Sequence, residues 1–176
     1  MIFTPTSLPG TFVIELERRE DDRGFFARSF CQHEFAERGL NPRIAQCNVS
    51  FNAKRGTLRG MHFQAPPHAE AKVVRCTQGS VWDVVLDLRP QSPTFKRWHG
   101  VELSAANRQA LYIPEGVAHG FQTLTDDSEL LYLMSEFYEP GAARGVRWDD
   151  PAFKIAWPVA DARISERDRS FPLFHG

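Results

Sequence analysis

Short apolar–polar alternations recur along the chain, separated by Gly, Pro, Asn or Asp. A strand points successive side chains to opposite faces, so a period of two between turn residues marks half-buried β structure. The segment "KVVRCTQGSVWDVVLDLR" (72–89) carries two such runs around Gln78-Gly79 and predicts a hairpin. In that hairpin Cys76 lies opposite Val81, Val74 opposite Asp83 and Lys72 opposite Val85. Lys72, Val74, Cys76, Val81, Asp83 and Val85 then share one face, with Lys72 and Asp83 as diagonal neighbours within side-chain reach. The other face, with Val73, Trp82, Val84 and Leu86, is plain core. Helical periodicity is scarce. "CQHEFAERGL" (31–40) fits a short helix stopped by Gly39, and another short helix is expected near "PAFKIAW" (151–157) or "ISERD" (164–168). The whole reads as an all-β sandwich or barrel with a few short helices.

Composition narrows the function. The 176 residues show no repeat, low-complexity tract or linker, which predicts one domain over 1–176. Fourteen Phe and four Trp among 42% hydrophobic residues suit sheet packing. Lys plus Arg number 21 against 22 Asp plus Glu, so a nucleic-acid or membrane-surface role is not expected, although a few arginines can still converge on a small anion. Cys31, Cys47 and Cys76 form no C-x-x-C pair, and "MIFTPTSLPG" lacks a signal-peptide pattern. A reduced, cytoplasmic protein follows as the expectation.

The candidate chemistry begins at "GTLRGMHFQ" (56–64), a strand-like run that carries Arg59, His62 and Gln64. Arg59 and His62 are an odd number of positions apart and would face opposite ways in a regular strand. If both serve one pocket, the strand must bulge or twist near Gly60. A second histidine, His119, ends "YIPEGVAHGF" (112–121), whose P-x-G-x-x-H pattern resembles the second motif of the cupin barrels. The first cupin motif would supply two histidines, but Gln64 stands where the second belongs. His62 and His119 fall short of the three good ligands a catalytic metal needs, so a metal-dependent cupin is the lesser reading. His33, His68, His99 and His175 read as surface residues.

Taken in order, "DDRGFF" (21–26), "QCNVS" (46–50), "GTLRGMHFQ", "AKVVR" (71–75), "DVVLDLRPQSPTF" (83–95), "YIPEGVAHGF", "LLYL" (130–133), "RWDDP" (147–151) and "ISERD" are similar to the nucleotide-sugar epimerases of the dTDP-4-dehydrorhamnose 3,5-epimerase family. The resemblance runs over nearly the whole chain. It implies a cupin-like double-stranded β-helix (jelly roll) without metal or cofactor, and a homodimer exchanging N-terminal strands. The implied substrate is a nucleoside-diphospho-4-keto-6-deoxyhexose. A C4 ketone acidifies the hydrogens on C3 and C5, so inversion there needs a base, an acid on the opposite face and a group that steadies the enolate oxygen.

By resemblance, His62 is the base and Asp168 orients it and stabilises the imidazolium. Lys72 holds the O4 oxyanion, with Asp83 keeping it charged and placed, and Tyr132 delivers a proton from the other side. Arg23, Arg59 and His119 are implied for the diphosphate, Gln46 and Asn48 for nucleotide or sugar, and Tyr138 for stacking on the base. Phe26 and Arg28 are implied at the same substrate site. Blander readings stand beside these: His62 as a bonded core histidine, Lys72–Asp83 as an ordinary cross-strand pair, Arg23 as a loop charge, Asp168 as a helix cap.

Several positions depart from the family pattern. Arg28 stands where a glutamate normally binds the nucleoside end, and "EPGAARG" offers Ala143 and Arg144 where a second acid is expected. Losing acceptors there alters which base edge is satisfied. CDP is therefore carried as the alternative nucleotide, beside single-carbon epimerisation and a non-catalytic sugar-nucleotide binder. Glu70 replaces a common glutamine near Lys72, and Met61 replaces leucine.

Overall fold

The computed structural model describes residues 1–174. Its strands are β1 (Ile2–Pro5), β2 (Phe12–Glu15), β3 (Arg19–Asp21), β4 (Gly24–Phe26), β5 (Gln46–Asn52), β6 (Thr57–Gln64) and β7 (Lys72–Gln78). They continue as β8 (Ser80–Asp87), β9 (Trp98–Ser104), β10 (Ala110–Ile113), β11 (Val117–Thr123), β12 (Ser128–Met134), β13 (Ala143–Gly145) and β14 (Arg163–Ile164). Two short helices, α1 (Gln32–Ala36) and α2 (Glu166–Arg169), complete the elements. One sheet runs β1-β2-β10-β7-β12-β5 and the other β13-β6-β11-β8-β9, with β14 parallel to β6 and β3-β4 a separate hairpin. This is an all-β, cupin-like jelly roll.

The interior lies between the two sheets. Val74, Cys76, Leu111, Ile113 and Leu130 from the first sheet meet Val81, Val85, Leu103, Val117 and Phe121 from the second. Each such buried side chain contributes about 1.5–3 kcal/mol, enough in sum to carry several buried polar groups. Outside the first sheet, Phe35 of α1 packs with Ile14, Val73 and Tyr112. Met61, Val84, Leu86 and Phe153 cover the outer side of the second.

The expected hairpin of 72–89 does not form. β7 is hydrogen-bonded to β10 and β12, and β8 to β11 and β9, so the two strands belong to opposite sheets. Gln78-Gly79 therefore bridges the sheets instead of closing a ladder. Gly79 has φ 71°, and a Cβ there would come within 2.6 Å of Ser128 Oγ and Thr125 Oγ1. The pairings Cys76–Val81, Val74–Asp83 and Lys72–Val85 are thus wrong. The face assignment survives, because both strands turn those residues towards the common interior. Helix α1 falls inside the expected segment, followed by Gly39 at φ 68°, and α2 overlaps "ISERD". "PAFKIAW" is turn and coil, packed through Phe153, Ile155 and Trp157.

Candidate active site

Inward positions change character along the strands. In β8 Val81 and Val85 flank Asp83, in β11 Val117 and Phe121 flank His119, and in β12 Leu130 precedes Tyr132. The same parity that builds the core therefore delivers polar groups to one region of the interior. There a cavity of about 270 Å³ is lined by Asn48, Arg59, His62, Lys72, His119 and Tyr132 among others. A second hollow of about 390 Å³ shares Asn48, His62, Lys72 and Met134 with it and adds Gln46, Gln64, Glu70, Tyr138, Arg144 and Arg167. The two form one cleft.

Arg59 and His62 reach the same cavity because β6 is irregular. Arg59 pairs with Phe121 and His62 with His119, so three steps on β6 oppose two on β11. The extra residue makes a bulge that turns Arg59 to the side of His62. Gly60 sits in it at φ 144°, before a cis Gly60–Met61 peptide, and a Cβ on Gly60 would lie 2.6 Å from Gly120 Cα. Arg59 Nε donates to Asn52 Oδ1 (2.8 Å), which fixes the guanidinium at the cavity wall.

His62 donates from Nε2 to Asp168 Oδ1 at 2.7 Å, leaving Nδ1 as the basic nitrogen of the neutral ring. Asp168 is delivered by α2, where Ser165 Oγ caps the helix by accepting from the Asp168 N–H. The cap is Ser165, and the Asp168 carboxylate is free for His62. Its other oxygen accepts from the Gly60 N–H (3.2 Å). Burial alone would raise this carboxyl, but the hydrogen bond and charge of His62 and the Gly60 N–H outweigh it and hold it below the ordinary range. Phe171 stands edge-on to the imidazole, with ring centroids 5.8 Å apart.

On the opposite wall Tyr132 meets His119 edge-to-face at 5.8 Å. Burial, then the nearby Asp83 charge, push its phenol well above the usual value, against the opposing pull of Arg59. Tyr132 is accordingly a proton-bearing group throughout the neutral range. Asp83 is fully buried, and His119 Nε2 bonds both its oxygens at 3.0 and 2.9 Å. Burial pushes the Asp83 carboxyl up, while His119 and Lys72 pull it down. Lys72 does not pair with Asp83. Its ammonium makes a 2.8 Å ion pair with Glu70, with both side chains buried.

Gln64 acts as a brace. Its amide donates to the carbonyls of His68 (2.9 Å) and Phe137 (3.1 Å) and accepts from the Glu139 N–H (2.8 Å), tying together two loops beside the cleft. Among the described residues no group of three His, Cys, Asp or Glu side chains is placed to hold a metal. Gln46 accepts from the Tyr138 N–H (3.0 Å) and reaches Asn48, so these three residues share one edge of the cleft.

Arg23, Phe26 and Arg28 are elsewhere. Arg23 is 85% exposed in the β3–β4 turn and ion-paired to Asp21, and Phe26 is 76% exposed. Arg28 bonds Glu34 (3.1 Å) and, with Phe26, lines a separate hollow of about 510 Å³ beside Arg18 and Arg19. Within one chain these residues do not join the cleft. His33 is exposed, but His68 and His99 are half-buried, and His99 bonds Ser7. His175 lies outside the described residues. Sequence reasoning did not assign Phe171 or Arg167 to the site, and it noted Gln64 and Glu70 only as departures from family patterns, without their contacts.

The model of the dTDP-4-dehydrorhamnose 3,5-epimerase family matches residues 5–176. The chain belongs to this family. A dTDP-4-dehydrorhamnose 3,5-epimerase of Shigella flexneri is 44% identical over 164 residues, covering 93% of this chain and 90% of the relative. A dTDP-4-dehydrorhamnose 3-epimerase of Streptomyces niveus is 41% identical, covering 96% and 82%. The crystal structure of the Bacillus anthracis 3,5-epimerase with TDP and PPi bound matches with a TM-score of 0.94 at 39% identity, covering 98% of this chain and 99% of that one. The epimerases are isomerases, and the chain has their fold and the cleft just described.

Proposed function

We propose that the chain inverts C3, C5 or both in a thymidine-diphospho-4-keto-6-deoxyhexose, for deoxysugar biosynthesis. His62 takes the hydrogen from the carbon beside the C4 ketone, and Asp168 stabilises the imidazolium formed. The electron pair moves onto O4, where the Lys72 ammonium meets the negative charge. Tyr132 returns a proton from the opposite side. Asp83 acts through His119, keeping that imidazole oriented beside Tyr132. Arg59 takes a diphosphate oxygen, with Gln46, Asn48 and Tyr138 holding the nucleoside end.

The observation that carries this reading is the placement of His62 on β6 of one sheet and Tyr132 on β12 of the other, around a single cavity with Lys72. A base and an acid on facing walls are what inversion at a flat enolate carbon requires. Incubating the purified protein with the thymidine-diphospho-4-keto-6-deoxyhexose tests it: NMR should show product inverted at C3 or C5, and unchanged sugar refutes the proposal.

The proposal includes a homodimer. Arg23, Phe26 and Arg28 lie too far round the surface to serve their own chain's cleft. β5 is an edge strand with Val49 62% and Phe51 51% exposed, suited to accept a strand from a second copy. Exchange of the β3–β4 hairpin would bring Arg23 and Phe26 to the neighbouring cleft. A sedimentation mass of one chain speaks against it. The cytoplasm is the compartment proposed, consistent with the free thiols Cys31, Cys47 and Cys76.

A further inference from the structure

Among the described residues Glu70 is the one carboxylate lining the 390 Å³ hollow, whose cationic side chains are Lys72, Arg144 and Arg167. A buried negative charge repels an anionic ligand and is costly to desolvate, so its presence beside the Lys72 ammonium needs a physical reason. The geometry supplies one. Glu70 Oε1 lies 2.8 Å from Lys72 Nζ, and the two side chains are only 6% and 7% exposed.

The backbone that carries Glu70 is tied on both sides. Glu70 precedes Ala71, whose N–H donates to Ser135 Oγ (2.7 Å), and the loop before it is tied by Gln64 at the His68 carbonyl. Lys72 in contrast ends in a flexible four-carbon stem. The other carboxylate that feels its charge is Asp83, already engaged by His119. Without Glu70 the ammonium is left with Asp83 as its carboxylate, and a shift towards it would disturb the pair with His119.

We infer that Glu70 is the positioning residue for Lys72: it fixes the ammonium where the enolate oxygen forms and keeps it from collapsing onto Asp83. This rests on the epimerase reading above. Glu70 touches no reacting atom; it acts through Lys72.

The test compares Glu70→Ala, which removes the acceptor beside the ammonium, with Glu70→Gln, which keeps one acceptor oxygen in place. Two readouts are taken: steady-state kinetics on the 4-keto sugar nucleotide, and crystal structures of the substrate-free variants, which give the position of Lys72 Nζ between residue 70 and Asp83. Glu70→Ala should move Nζ towards Asp83. It should also lower kcat about tenfold while KM stays within about twofold, because a misplaced oxyanion partner is felt mainly in the transition state. Glu70→Gln should recover most of kcat, with Nζ near its wild-type place. An unmoved Nζ in Glu70→Ala overturns the inference whatever turnover does, and so does an unchanged kcat. If the wild-type protein turns nothing over, the epimerase reading fails, and the Nζ position alone decides whether Glu70 holds Lys72. Should Glu70→Ala not fold, Glu70→Gln against wild type carries the comparison, with Nζ beside residue 70 expected in both and Nζ on Asp83 in Glu70→Gln refuting the hold.

Discussion

Arg59 and His62, three residues apart on β6, line one cavity because a bulge against β11 turns them to the same side. Gly60 makes this possible: at its φ of 144° a Cβ would lie only 2.6 Å from Gly120 Cα, which leaves no room for a side chain. Gly60→Ala should therefore cost about 2–4 kcal/mol, from overpacking and a disfavoured backbone together. Urea unfolding measures it. A variant with wild-type stability and activity would show that the bulge does not depend on glycine.

The His62–Asp168 bond makes a second expectation. Asp168 is held below the ordinary carboxyl value, so its contribution to stability is present above about pH 3.9 and is lost as pH falls through the lower folded value. Asp168→Asn removes that contribution, so the difference in unfolding free energy from wild type should hold steady from pH 7 to about 4 and shrink only below that. Turnover should fall about a hundredfold or more, since the amide supports neither the ring's orientation nor its positive charge. A pH-independent stability difference would contradict the assignment.

Much of this site was legible beforehand, and the failures have physical causes. Alternation identified Lys72, Val74, Val81, Asp83 and Val85 as one inward set, because side-chain parity is local. It did not say that β7 and β8 lie in opposite sheets, since Gln78-Gly79 suits a turn within a ladder and a bend between sheets alike. That error carried Lys72 to Asp83, when its ion pair is with Glu70, two residues away in its own chain. The irregularity at Gly60 was foreseen, because the parity conflict between Arg59 and His62 pointed straight to it. Phe171 and Gln64 take their roles from contacts between distant segments, which no local spacing records. Arg23, Phe26 and Arg28 lie away from the cleft, and their part depends on a second copy of the chain.

Tyr132 should separate proton removal from inversion. Tyr132→Phe leaves His62 and Lys72 in place, so deuterium from solvent should still enter the sugar on the His62 side. Formation of inverted product should fall at least about a hundredfold, the scale of losing a general acid. NMR in deuterated water reads both rates. Equal loss of exchange and inversion would mean that Tyr132 is not the acid.

Nucleotide preference tests the departures at Arg28 and Arg144. The Arg28 guanidinium bonds Glu34, and Arg144 Nη1 bonds the Gly141 and Ala143 carbonyls, so neither presents its bonded edge to the cleft. Calorimetric titration should accordingly show dTDP binding more tightly than CDP. The reverse order would make these two arginines the readers of a different base.

The central claim is that one imidazole removes a hydrogen activated by the C4 ketone. Solvent-deuterium incorporation at C3 and C5, followed by NMR with wild type and His62→Ala side by side, measures this step directly. The expected result is exchange at one or both carbons with wild type and none above background with His62→Ala at unchanged dTDP affinity. Undiminished exchange in the variant would contradict the account.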